Sequence, residues 1–283
     1  MKKLGMFLLA CVLSVSLVGC GNSNEGSTTS GNNEISGEVA LDGSTSMEKM
    51  MTLLQEAIKE SYPNLTLETQ FTGSGTGIKS VTAGKADIGN SSRALKDEEK
   101  SAGLTENIVA LDGIAVIVDK NNSVADLTKE QLADIYTGKI RNWKEVGGAD
   151  QNIVVVGREA GSGTRDGFED ILGVKDKCQY ANQLNETGAV VAKVQETAGA
   201  IGYASLDVAQ DSKDTVNILK VSGVEPSEAT ILDGSYELQR PFVMATKGTI
   251  EEQKPEVKAV FDYINSEAGQ TIIKKAGLVV PNK

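Results

Sequence analysis

The chain of 283 residues contains no histidine. That excludes Ser-His-Asp and Cys-His nucleophiles and the usual zinc sites together. Cysteine is scarce too: of three, Cys11 and Cys20 lie near the N-terminus and only Cys178 lies in the body. The body therefore has no intrachain disulfide and must rely on its hydrophobic core. Roughly 250 residues suffice for that, as one large domain or two lobes. Cys178, near Tyr180 and without a base partner, reads as an inert thiol, and Trp143, the only tryptophan, as a packing anchor. Positive charge is in deficit, with 28 Lys and Arg against 39 Asp and Glu and a formal charge of −11. No basic stripe exists, so nucleic acid is not an expected partner. An acidic chain that binds an anion must do so through local donors, because its net field opposes the ligand.

What is present begins with an export signal. Lys2 and Lys3 precede an uncharged apolar run over residues 4–18, too short and wrongly flanked for a spanning helix. Residues 1–19 are thus set apart as a signal peptide; their removal takes away two lysines and no acid and leaves −13. Leu17-Val18-Gly19-Cys20 resembles the lipobox of bacterial lipoproteins, which implies that Cys20 becomes the first residue and carries lipid. Residues 20–36 are rich in Gly, Ser, Asn and Thr and read as a flexible tether.

The body is organised around GREAGSGTRDG at 157–167. It follows the apolar run Ile153-Val154-Val155-Val156, a buried strand, and precedes Phe168-Glu169-Asp170-Ile171-Leu172, the start of a helix. A strand that ends in a glycine- and hydroxyl-rich turn and then opens a helix makes an anion site, because the first helical N–H groups are unpaired and the helix dipole is positive there. Ser162 and Thr164 add hydroxyls, and Arg158 and Arg165 add guanidinium forks that fit a tetrahedral oxyanion.

Two further turns have the same form. Asp42-Gly43-Ser44-Thr45-Ser46 follows a strand over 38–41 and precedes Met47, Met50, Met51, Leu54, Ala57 and Ile58 at helical spacing. TGSGTG at 72–77 follows the alternating Leu65, Leu67, Thr69 and Phe71 and precedes a short helix from Ile78. A polar turn, Asn90-Ser91-Ser92-Arg93, follows a brief strand at 86–89. Residues 108–118 read as a long strand broken at Asp112-Gly113. Strands are expected at 200–203, 216–221 and 240–245, and helices at 128–136, 188–197, 257–264 and 271–275. Strands alternating with helices imply an α/β fold with largely parallel sheets, which bind ligands at strand C-termini.

Two near misses fail on spacing. GSGTGIKS at 73–80 lacks the G-x-x-x-x-G-K-[ST] order of a phosphate-binding nucleotide loop. Ser46-Met47-Glu48-Lys49 matches the S-x-x-K of serine acyl-transferring enzymes, but no Ser-Asp-Asn or Lys-Thr-Gly follows.

Taken in order, GSTSM (43–47), TGSGTGI (72–78), ADIGNSSR (86–93), IYTGKIRNW (135–143), GREAGSGTR (157–165), GAIGYAS (199–205) and RPFVM (240–244) resemble the PstS-type phosphate-binding lipoproteins of bacterial phosphate ABC importers. The resemblance spans nearly all of the chain after the tether. It implies a two-lobed type II periplasmic-binding-protein fold, each lobe a mostly parallel sheet flanked by helices, with two crossing hinge strands near 113–118 and 239–243. Lobe I would comprise 37–113 and 242–283, and lobe II 114–241. By matching motifs, the phosphate ligands fall on Thr45, Ser46, Ser74, Arg158, Ser162, Gly163 and Thr164, with Ser92 and Arg93 added by the turn at 90–93. Many relatives carry an aspartate where this chain has Ser92, and often an acid two residues after the site arginine, where it has Ala160. The resemblance then leaves Glu159 or Asp166 to orient Arg158.

The expected protein is a phosphate receptor, lipid-anchored on the extracytoplasmic face, that delivers its ligand to an ABC permease without cofactor, metal or catalysis. The alternatives are a receptor for another tetrahedral oxyanion such as sulfate or molybdate, a serine acyl-transferring enzyme using Ser46 and Lys49, and an adhesin or sensory lipoprotein that keeps the fold.

Overall fold

The computed structural model describes residues 35–282. The export segment, Cys20 and most of the tether lie outside the described residues. The strands along the chain are β1 (Gly37–Gly43), β2 (Leu65–Gln70), β3 (Ile88–Ser91), β4 (Leu104–Thr105) and the long β5 (Ile108–Asp119). There follow β6 (Asp126–Leu127), β7 (Val154–Arg158), β8 (Asn182–Leu184), β9 (Ala200–Ser205), β10 (Val216–Ile218), β11 (Lys220–Val221) and β12 (Gln239–Lys247). The helices are α1 (Glu48–Ser61), α2 (Ser74–Thr82), α3 (Asp97–Ser101), α4 (Lys129–Tyr136), α5 (Gly163–Leu172), α6 (Thr187–Glu196), α7 (Leu206–Asp211), α8 (Glu228–Leu232), α9 (Pro255–Asn265) and α10 (Glu267–Lys275). Among the described residues no helix is long and apolar enough to cross a membrane.

The main sheet runs β2-β1-β3-β12-β5-β9-β7-β8. β1 is parallel to β2 and β3, and β7 is parallel to β8 and β9. These two parallel trios are joined through antiparallel β12 and β5. Each trio has its own core. One packs Val39, Leu41, Met50, Met51, Leu54, Phe242, Met244, Val260 and Phe261, and so uses the beginning and end of the chain. The other packs Ile114–Val118 with Leu132, Trp143, Phe168, Val190, Ile201 and Tyr203 from its middle. A core on each parallel trio makes a two-lobed α/β fold, and a smaller cluster of Ile78, Val81, Leu95, Leu104, Val243 and Ala245 packs beside the first.

The link between the lobes differs from the expected broken strand. β5 is continuous through Asp112-Gly113. It pairs with β12 as far as Gly113↔Gln239 and with β9 from Ile114↔Ser205 onward. Gly113 marks the exchange of partners: a Cβ there would stand 2.8 Å from Ile231 Cδ1. The expected strand at 216–221 is likewise two strands, β10 on β5 and β11 on β6.

Two helices start earlier than the apolar periodicity predicts. α2 opens at Ser74 rather than Ile78, and α5 at Gly163 rather than Phe168. Their first turns are made of glycines and hydroxyl residues, which composition reads as loop. Local bonds override that: Ser162 Oγ accepts from Arg165 N, and Gly73 O accepts from Gly77 N at 3.1 Å. Trp143 packs as expected, buried, with Nε1 donating to Gly199 O at 2.9 Å.

Candidate oxyanion-binding site

The two early helix starts place their first turns at the edge between the lobes, where Gly75 N donates across it to Gly161 O at 2.9 Å. β1 ends at Gly43 and turns through Ser44, whose Oγ accepts from Ser46 N, into a 3-10 turn Thr45–Met47 and then α1. β2 leads to α2, which lies so close to the end of β1 that a Cβ on Gly77 would stand 2.3 Å from Asp42 O. From the other lobe, β7 leads to α5 and β8 leads to α6. Four helical N-termini therefore face one another, and helix N-termini carry partial positive charge and free donors.

Their hydroxyls meet. Ser46 Oγ lies 2.9 Å from both Thr164 Oγ1 and Thr187 Oγ1. Thr45 Oγ1 lies 3.0 Å from Thr187 Oγ1. Ser74 Oγ lies 3.2 Å from Ser92 Oγ and accepts from Ser92 N at 3.1 Å. Gly163 joins the two groups: a Cβ on it would stand 2.4 Å from Ser74 Oγ and 2.9 Å from Ser92 Oγ. All of these residues are buried. Ser162 caps α5 at the same place, its Oγ taken by Arg165 N at 3.3 Å. Among the described residues no carboxylate hydrogen-bonds to a hydroxyl of the cluster. Asp42 accepts instead from Thr72 Oγ1 at 2.5 Å and Ser80 Oγ at 2.6 Å, behind the turns.

Arg158 ends β7 with 2% of its surface exposed. Its Nη1 donates to Thr187 Oγ1 at 3.0 Å, Nε to Leu184 O at 3.1 Å and Nη2 to Asn185 O at 2.7 Å. Burial pulls its pKa down to about 10, so it stays charged at neutral pH. Behind it, Tyr203 OH accepts from Arg158 N at 3.1 Å, and the Tyr203 ring stacks on Phe168 with centroids 4.3 Å apart. Neither Glu159 nor Asp166 orients Arg158. Glu159 is exposed, and the parallel pairing of β7 with β8 brings backbone carbonyls to the guanidinium instead.

Asp166 is engaged elsewhere. Arg93 Nε donates to its Oδ2 at 2.9 Å, and Lys96 Nζ lies 3.5 Å from the same oxygen. Glu99 receives the rest of the Arg93 fork at 2.8 Å, and Ala94 O a further bond at 2.8 Å. Burial works against the Arg93 charge, but Glu99 and Asp166 outweigh it and hold its pKa above the ordinary value. The turn at 90–93 thus splits: Ser92 joins the hydroxyl cluster, and Arg93 forms an ion pair that spans the lobes. Arg165 also turns away, to Glu169 at 2.7 Å and Gln183 at 2.7 Å.

Lys49 Nζ pairs with Asp211 Oδ2 at 2.7 Å, a second ion pair between the lobes. Ser46 Oγ thus shares its hydrogen bonds with threonines, while Lys49 is engaged by Asp211. Burial pushes the Cys178 thiol up to about 11, which leaves it unreactive.

Sequence reasoning missed Thr187. The helix was expected from Gly188, which left Thr187 outside it; Glu186-Thr187-Gly188 after a short polar strand is the same strand–turn–helix chemistry in weaker form.

Residues 25–268 match the model of a PBP superfamily domain. The chain is similar to the phosphate-binding protein PstS of Bacillus subtilis (strain 168), 32% identical over 94% of this chain and 89% of the relative. Among solved structures it is similar to a substrate-binding protein with bound phosphate, assigned to a phosphate ABC transporter of Clostridium perfringens. The two are 43% identical with a TM-score of 0.82, over 87% of this chain and 100% of that one. It is also similar to an ABC-type phosphate transport receptor from Vibrio cholerae, 32% identical with a TM-score of 0.73, over 86% of this chain and 100% of that one.

Proposed function

The chain belongs to the PBP superfamily and, within it, to the PstS-type phosphate-binding proteins, and on that premise we propose that it is a receptor for inorganic phosphate serving an ABC importer. The observation that carries the reading is the meeting of four helix N-termini and their hydroxyls, from both lobes, beside a buried arginine that, among the described residues, hydrogen-bonds to no carboxylate. Such a site replaces the hydration shell of a tetrahedral anion with convergent donors and one fixed charge. The ligand contacts are Thr45, Ser46, Ser74, Ser92, Arg158, Ser162, Gly163 and Thr164. Arg93 acts between the lobes through Asp166 rather than on the ligand.

The two cores support a division into lobe I, 37–113 with 242–283, and lobe II, 114–241. Ligand groups come from both, so phosphate binds the closed arrangement better and drives hinge rotation about β5 and the start of β12. Closure hands the permease a recognisable loaded state. The receptor is anchored through lipid on Cys20 to the extracytoplasmic face of the membrane, with residues 20–36 as tether. The reading assigns it no catalysis: Ser46 Oγ shares hydrogen bonds with Thr164 and Thr187, and Lys49 pairs with Asp211.

One observation favours a second reading. Among the described residues no carboxylate in the hydroxyl cluster repels a fully ionised anion, so the chemistry also suits another tetrahedral oxyanion such as sulfate or molybdate. Titration calorimetry of the purified body with phosphate, sulfate and molybdate separates the two. Tight phosphate binding supports the receptor proposed; heat from sulfate or molybdate alone overturns it.

A further inference from the structure

Thr187 is the most connected hydroxyl of the cluster. Its Oγ1 accepts from Arg158 Nη1 at 3.0 Å and lies 3.0 Å from Thr45 Oγ1 and 2.9 Å from Ser46 Oγ. Its own N–H donates to Thr45 Oγ1 at 3.3 Å. It is 2% exposed and is the first residue of the ten-residue α6, so that N–H has no intrahelical partner. No sequence motif of the chain singles it out.

A threonine hydroxyl has one proton to give and two lone pairs to receive. With a guanidinium N–H donating into Thr187 Oγ1, its single proton is left for one other neighbour, Thr45 Oγ1 or Ser46 Oγ. Charge on the donor polarises the hydroxyl and strengthens the bond it makes. Arg158 gains as well. Two of its nitrogens are tied to fixed carbonyls, and Thr187 fixes the third; among the described residues no acid does that work. Thr187 thus offers two donors from lobe II at the point where lobe I presents Thr45 and Ser46.

We infer that Thr187 is a further anion-contacting residue, which donates both its hydroxyl and its backbone N–H to the ligand and aims Arg158. The inference rests on the phosphate-receptor reading and adds a fourth strand–turn–helix segment to the ligand set.

The test is phosphate titration of the wild-type chain, Thr187→Val, Thr187→Ala and Thr187→Ser, with the melting temperature of each measured without phosphate. Thr187→Val keeps the shape and removes the hydroxyl. It should weaken phosphate binding roughly ten- to hundredfold, the usual range for a hydrogen bond to a charged group, and leave ligand-free melting within a few degrees. Thr187→Ala, which relieves any crowding by the added methyl, should show the same loss. Thr187→Ser restores the hydroxyl and should bind within about threefold of wild type. Wild-type binding with equal affinity in Thr187→Val and Thr187→Ala overturns the inference and leaves the receptor reading standing. Equal losses in all three variants, serine included, also overturn it, since packing alone would then explain them. A wild-type chain that binds no phosphate overturns both.

Discussion

Asp112 and Arg240 form a buried ion pair at the crossing between the lobes. Arg240 Nη2 and Nε donate to Asp112 Oδ2 at 2.7 and 3.0 Å, and both side chains are 2% exposed or less. The two residues face each other across β5 and β12, one register step before β5 leaves one sheet for the other. Asp112 Oδ1 also accepts from Leu206 N at 3.2 Å and so ties the start of α7 to the crossing.

That pair makes stability depend on pH. Burial pushes the Asp112 carboxyl up to about 7, with Arg240 pulling it down and Asp207 adding to the rise. Asp207 is itself raised by burial. A carboxyl raised in the folded state holds more protons there than when unfolded, so stability falls as pH rises from about 4 to about 7 and then levels. At about 1.4 kcal/mol per unit the total is on the order of 1–4 kcal/mol. With no histidine in the chain, few other groups titrate between pH 5 and 7. Thermal melting across that range should show the fall, and Asp112→Asn should flatten it. A wild-type profile already flat there would refute the assignment. Arg240→Ala, which strands Asp112, should cost about 3–5 kcal/mol at pH 8.

Arg158→Ala should reduce phosphate affinity a hundredfold or more, the result of losing about 2–5 kcal/mol of buried, charge-assisted contact. Arg158→Lys should recover only part, because an ammonium cannot reach Leu184 O, Asn185 O and Thr187 together. Calorimetry measures both. Unchanged affinity in Arg158→Ala would remove Arg158 from the ligand set.

Two of the ion pairs between the lobes should differ in weight. The Arg93 and Asp166 side chains are 8% and 21% exposed, against 35% and 62% for Lys49 and Asp211. Asp166→Asn should weaken phosphate binding by about 1–2 kcal/mol and enlarge the phosphate-free radius of gyration in small-angle scattering. Lys49→Ala should cost less than about 1 kcal/mol, as exposed pairs do. If Asp166→Asn changes neither affinity nor radius, the pair plays no part in closure.

Selectivity follows from the missing carboxylate. Asp42 faces Thr72 and Ser80 and Glu159 is exposed, so neither repels sulfate from the cluster. Millimolar sulfate should compete measurably with phosphate, and Ser92→Asp should sharpen the preference for phosphate. Phosphate should bind more tightly as pH rises through its second ionisation, near ~6–7 by analogy with phosphoryl groups. Failure of sulfate to compete at every pH tested would mean that another acceptor reaches the ligand.

The sequence by itself determined the chemistry of each turn. Gly43 to Ser46, Gly73 to Ser74 and Ser162 to Thr164 are local: a strand, a glycine, hydroxyls and a helix start lie within a few residues, and helix-start N–H groups are free wherever they occur. The absence of histidine, the lone body cysteine and the motif order were legible for the same reason. Tertiary structure alone decided who meets whom. Arg93 finds Asp166 at a separation of 73 residues, Arg240 finds Asp112 at 128, and Thr45 finds Thr187 at 142. Those encounters depend on strand order and on the exchange of partners at Gly113, set by packing of the two cores. Such packing is nonlocal, so no window of sequence carries it. That is why the ion pair of Arg93 with Asp166 and the meeting of Thr187 with Thr45 and Ser46 were not legible in the sequence.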